Sequence, residues 1–180
     1  MRDTIVLDLE TQKTFEEVGG RDNARLLRVS LVGIYSYAQD LYRTFTEWET
    51  PGLKPILEEA GLVIGFNIKR FDYIVLEPYL KRSLQNLPTL DIMEAVVRSI
   101  GHRLSLNSLA QATLGHEKLG SGLDAIQYFR NGEIEKLKEY CLADVRLTRE
   151  LYEYGRRHGR LHYRKDQSVY SIPVHWGTAQ

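Results

Sequence analysis

Ile5, Val6 and Leu7 form an apolar, partly β-branched run that predicts a buried strand over residues 4–9. Asp8 and Glu10 follow at i and i+2, so both carboxylates leave the same face at the end of that strand. Residues 11–20 are polar and close on Gly19-Gly20, which reads as a loop or short element and then a turn. Residues 26–37 again have strand composition. Residues 41–47 form its antiparallel partner, with Ala38-Gln39-Asp40 as the turn.

From there the period changes. Pro51 suits the first turn of a helix running to Glu59 and ended by Gly61. Residues 62–66 make a short apolar strand with Asn67 at its end. A helix follows to Tyr79, its apolar side carrying Phe71, Ile74, Val75 and Leu76, with Pro78 ending or kinking it. Residues 89–92 fit a short strand or a loop. Helices are expected over 93–100, over 105–114 between Gly101 and Gly115, and over 123–129 before Asn131-Gly132. The longest helical pattern covers 133–154: Ile134, Leu137, Cys141, Val145, Thr148 and Leu151 recur at three and four residues, and Gly155 is its expected stop. Residues 161–163 and 169–174 are extended pieces that either add an edge strand or wrap the body. A strand meander, then alternating helix and strand, then mostly helix, implies an α/β fold. Its sheet is mixed, central and flanked by helices.

Composition narrows the setting. With 180 residues, 43% hydrophobic and 27% charged, the chain reads as one soluble domain. Its formal net charge is zero, so overall charge favours neither nucleic acid nor membrane. Residues 156–165 are the exception, with five Lys or Arg, two His and no acid. That run would meet a polyanion, and a solvated helix end explains it equally well. Cys141 is the only cysteine, which excludes an intrachain disulfide and a Cys-based zinc site. It sits about 100° around the helix from Tyr140 and reads as a packing residue. The apolar start stops at Asp8, unlike a signal peptide, and no stretch approaches the roughly 18 apolar residues of a membrane span. A cytoplasmic location is expected.

Asp8, Glu10, Asp72 and Asp144 are the chemically telling positions. Carboxylates from separate elements make sense together if the fold gathers them around divalent ions, since magnesium and manganese prefer hard oxygen ligands. Without cations such a cluster would repel itself. Tyr140 lies one turn before Asp144, about 6 Å along the axis on the same side. Singly, each has a plainer reading: Asp8 a turn or cap, Asp72 the first turn of a helix, Tyr140 a core tyrosine. Asp144 would then pair with Arg28 or Arg103.

Three motifs stand in order: Asp8-Leu9-Glu10-Thr11, Asn67 through Phe71-Asp72, and Tyr140 through Asp144. In this the chain resembles the DEDD superfamily of 3′–5′ exonucleases, of ribonuclease H-like fold. Tyr140 points to the tyrosine branch (DEDDy), which includes polymerase proofreading domains and helicase-associated exonuclease-like domains. The resemblance covers residues 4–155 and leaves 156–180 as an extension. It implies two magnesium or manganese ions held by Asp8, Glu10, Asp72 and Asp144. It also implies that Tyr140 positions the attacking water, and that a nucleoside 5′-monophosphate leaves. Thr11, Asn67 and Phe71, the other motif residues, become candidate substrate contacts. The implied partner is nucleic acid with a single-stranded 3′ end, with a polymerase or helicase as protein partner and no membrane. His102, Arg103, His116 and Lys118 are weaker candidates for phosphate contact, and Phe15, Leu106 and Leu109 for packing a terminal base. The competing readings are a non-catalytic nucleic-acid-binding module and a ribonuclease H-like endonuclease.

Overall fold

The computed structural model describes residues 2–116 and 120–176. Strands β1 (Thr4–Thr11), β2 (Val29–Ser36) and β3 (Leu41–Thr46) form the antiparallel meander. Strands β4 (Leu62–Gly65) and β5 (Thr89–Asp91) add in parallel, so the sheet order is β3-β2-β1-β4-β5. The helices are α1 (Leu53–Glu59), α2 (Asp72–Leu80), α3 (Ile92–Ile100), α4 (Leu106–Leu114), α5 (Gly122–Arg130) and α6 (Ile134–His158). This is the mixed, helix-flanked α/β sheet that the sequence pattern implied, in the ribonuclease H-like arrangement that the family resemblance implied. No helix among the described residues is long and apolar enough to cross a membrane.

The period of β1 divides the interior in two. Ile5, Leu7 and Leu9 point into a core shared with Tyr73, Val75 and Leu76 of α2. Val6 points to the other side, into a core shared with Val145 and Leu151 of α6. The next even positions on that second face are Asp8 and Glu10. Strand β1 therefore runs from apolar core into an acidic site along one line of side chains.

Helix α6 can approach that line because of Gly33, which is the register partner of Asp8 on β2. A Cβ at position 33 would lie 2.9 Å from Cys141 Sγ and 3.0 Å from Val145 Cγ2. Both are below normal contact distance.

Sequence punctuation misleads at the far end of α6. The helix passes through Gly155 and ends at Gly159, whose φ of 65° is the left-handed stop. Gly155 serves packing instead: a Cβ there would come within 2.2 Å of Trp176 Nε1. Among the described residues the last strands, β6 (Arg160–Lys165) and β7 (Ser168–Pro173), pair only with each other. They form a separate hairpin over α4 and α6 rather than a new sheet edge, with Leu161 and Ile172 buried in the α6-side core. The strand expected over 26–37 starts three residues late. A 3₁₀ turn at Arg21–Leu26 precedes it, and Arg28 takes a positive φ of 58°.

Gly33→Ala is expected to lower stability by about 1–3 kcal/mol through overpacking, read from urea unfolding. Adding Cys141→Ala should recover part of that loss, since one of the two close contacts is then removed.

Candidate active site

Asp8 and Glu10 stand on the part of β1 that has lost one neighbour. Strand β4 pairs only with Thr4, Ile5 and Val6 of β1, because the chain leaves the sheet after Gly65. Beyond that point the β1 backbone on that side needs other partners. The Leu9 N–H finds one in the Asp72 carboxylate, donating to Oδ1 at 3.1 Å. Asp72 thus occupies the gap in the ladder and is brought beside Asp8. It opens α2, where a carboxylate also suits the positive end of the helix.

Helix α6 closes the other side. Tyr140, Cys141 and Asp144 are all buried on its inner face. The ligand atoms of Asp8, Glu10 and Cys141 lie within 4.8 Å of one another, close enough to hold a metal ion. Cys141 does fill the helix–sheet interface, as its spacing suggests. Its sulfur nevertheless turns toward the acidic end and donates to the Asp8 carbonyl at 3.8 Å. The direction 100° from Tyr140 is toward the strand rather than away from the site, because α6 lies directly over β1.

The charges register their neighbours. Burial pushes the Asp72 carboxyl well above its ordinary range, with Asp8 and Asp91 adding to the effect. Burial likewise raises the Cys141 thiol, and Asp8, Glu10, Asp144 and Asp72 each raise it further. One sulfur therefore feels all four carboxylates. The plainer pairing of Asp144 is not what forms: Arg28 binds Glu47 at 2.8 Å, and Arg103 donates to Asn67 Oδ1 at 2.7 Å.

Asp8, Glu10, Tyr140 and Asp144 open on a cleft of about 520 Å³. Its walls include Thr11, Phe15, Phe71 and, from α5, Leu123. Phe15 and Phe71 pack with ring centroids 5.8 Å apart. The loop bearing Phe15 is tied to α5 by Arg130, which pairs with Glu17 at 2.7 Å. Thr11 turns its hydroxyl inward, donating to the Lys13 carbonyl at 3.0 Å, where a bulge ends the regular pairing of β1.

Other expected contacts fall elsewhere. Asn67 lines a neighbouring pocket with Arg103 and Lys69 rather than the carboxylate cleft. It holds a left-handed φ of 63°, and its N–H donates to Asp91 at 2.9 Å. Leu106 and Leu109 are buried in the α6-side core. His116 lies 3.1 Å from Glu150. Lys118 falls outside the described residues. Two residues escaped the sequence reading. Leu123 is 62% exposed at the cleft, one of six exposed large hydrophobic residues among the described residues. Asp91 is buried, caps α3 through the Glu94 N–H and holds the Asn67 loop. The spacing Asp91-x-x-Glu94 before an apolar helix was the available signal for it.

The donor set fits a divalent cation. Carboxylates are crowded and desolvated here, and a positive charge among them would reverse the strain that Asp72 registers. Asp72 has a folded pKa above its ordinary 3.8. The folded protein therefore binds more protons than the unfolded chain once pH exceeds that value, and stability falls as pH rises through the window. Asp72→Asn removes this charge and keeps an oxygen for the Leu9 N–H. In chelator at pH 7 the variant is expected to melt above wild type, with a flatter decline from pH 4 upward. Magnesium or manganese should raise the wild-type melting temperature more than that of the variant, as differential scanning fluorimetry would read.

The sequence model of a family described as a 3′–5′ exonuclease matches residues 3–156. No curated protein sequence matches the chain well enough to stand as a relative. With the acidic cleft inside the matched region, the chain belongs to the 3′–5′ exonuclease family.

Proposed function

We propose that this chain is a divalent-metal-dependent 3′–5′ exonuclease of the tyrosine branch, releasing nucleoside 5′-monophosphates from a single-stranded 3′ end. The observation that carries the reading is that Asp8 and Glu10 from β1 and Asp144 from α6 line one cleft, with Asp72 of α2 bound to the adjoining Leu9 N–H. Four acids from three elements repel one another when gathered this way, and divalent cations would offset that repulsion. The match to a family described as a 3′–5′ exonuclease supports attack from the 3′ end.

Asp8, Glu10, Asp72 and Asp144 would hold two magnesium or manganese ions. Bound cations would offset the carboxylate charge and stabilise charge developing at the phosphoryl group. The rest falls to the chain's own side chains. The Tyr140 hydroxyl, at the cleft wall one turn from Asp144, would orient the attacking water against the scissile phosphate. Phe15, Phe71 and Leu123 would grip the terminal base, since aromatic and apolar faces stack on any base. A bond forms between the water oxygen and phosphorus. The bond to the 3′ oxygen of the preceding nucleotide breaks, and that oxygen leaves as a new 3′ hydroxyl. A polymerase or helicase would present the strand, and the 180 residues would act as one unit.

On 5′-labelled single-stranded DNA and RNA, wild type is expected to give a metal-dependent ladder shortening from the 3′ end. Asp8→Ala and Asp144→Ala should each lower the rate by about 10³-fold or more while remaining folded by circular dichroism. Tyr140→Phe should lower kcat by about 10- to 100-fold with little change in KM, as expected for lost orientation. Internal fragments instead of mononucleotides would sink the exonuclease reading in favour of an endonuclease.

A further inference from the structure

The C-terminal hairpin carries charge and aromatic surface that the cleft does not use. Strands β6 and β7 lie beyond the family match, which ends at residue 156. Arg157, Arg160, Arg164 and Lys165 are exposed, and among the described residues none of them forms an ion pair. Like charges gathered this way repel one another and attract a polyanion.

Aromatic surface lies within the same element. Tyr163 and Tyr170 are register partners, stacked with centroids 5.4 Å apart and planes 28° from parallel. Tyr170 remains 45% exposed. By the two-residue period of a strand, Lys165 stands on the tyrosine face, while Arg160 and Arg164 stand on the opposite one and add to the positive potential. The hairpin is also firmly seated. Leu161 and Ile172 are buried, and Thr113 Oγ1 accepts from the His162 N–H at 2.9 Å and lies 3.2 Å from the His162 carbonyl.

A series of contacts leads from this surface toward the cleft. The His102 ring meets Tyr163 edge-on at 5.9 Å. Arg103, next in the chain, donates to Asn67. The loop that begins at Asn67 ends at Phe71, in the cleft wall.

We propose that the β6–β7 hairpin is a second binding surface for single-stranded nucleic acid, holding the part of the strand upstream of its 3′ end. A base stacks on Tyr170, and backbone phosphates lie against Lys165 on the same face, with Arg164 adding positive potential from the opposite face. This rests on the reading of the cleft as the seat of the 3′ end. The exposed tyrosine stack favours nucleic acid over an acidic peptide, which would use the charge and leave the ring faces idle.

The test is fluorescence anisotropy in chelator, with strands of about 4 and about 12 nucleotides that share a 3′ sequence. Full-length wild type is expected to bind the longer strand at least about tenfold more tightly at low salt. In the double variant Arg164→Ala/Lys165→Ala that ratio should collapse toward one. The salt slope for the longer strand should also fall by about 0.7 for each lost phosphate contact. Tyr170→Ala should reduce the ratio and Tyr170→Phe should preserve it, which a merely structural tyrosine at a matched melting temperature would not do. A ratio unmoved by all of these substitutions overturns the proposal. So does a harmless Tyr170→Ala together with polyglutamate competing as well as the strand, which would identify an acidic-peptide site. Cleavage is scored separately. A chain that cleaves nothing, yet whose length preference follows Tyr170 and Lys165, overturns the nuclease reading and leaves the hairpin surface standing. A chain that cleaves with an unmoved ratio does the reverse.

Discussion

The approach of α6 to the sheet across Gly33 governs where Tyr140, Cys141 and Asp144 sit relative to the carboxylates of β1. Gly33 pairs with Asp8, and the missing Cβ is the space that Cys141 and Val145 occupy. That closeness sets the inner face of α6 directly against β1. One side of the helix continues the apolar core through Val145 and Leu151, while Tyr140 and Asp144 open on the cleft. Packing and chemistry share a single helix–strand contact. Dispersion contacts along its apolar part fix the position of its acidic part.

The acidic end works against that stability. Burying the Asp72 carboxylate beside Asp8 is unfavourable, and one neutral N–H from Leu9 returns only about 1.5–3 kcal/mol even as a bond to a charged group. Desolvation of an ionised carboxylate is larger, which is why burial leads the shift of Asp72. The arrangement is tolerated because the surrounding frame is over-determined: β2 pairs with β1 without a break from Ile5 to Glu10, and apolar clusters flank it on both faces. Stability is concentrated in the frame and spent at the site, a distribution common to catalytic centres.

Much of this was legible in local spacing. The i, i+2 carboxylates of a strand and the i, i+4 pair Tyr140 and Asp144 declare their faces without tertiary information. So do the apolar periods that announce β1, β2 and α6. What was illegible depended on partners far away in the chain. Gly155 looks like a helix stop until Trp176, 21 residues on, is seen to lie over it. Asn67 shows its place only once Asp91 and Arg103, far along the chain, are seen to hold its backbone and side chain. Cys141 reads as packing by spacing alone, and only the placement of α6 over β1 reveals its sulfur beside Asp8 and Glu10. Strand β5 has three residues, too few to display any period.

Trp176 seated over Gly155 separates two boundaries that are often treated as one. Likeness to the exonuclease family ends at residue 156, yet Leu161, Ile172, Val174 and Trp176 belong to the same apolar cluster as Val6, Val96 and Leu151. A chain cut where the homology stops would strip four buried side chains from that cluster. It would leave a bare hydrophobic strip along α6, the helix that bears Asp144. In this protein the end of the family match falls inside a shared apolar cluster.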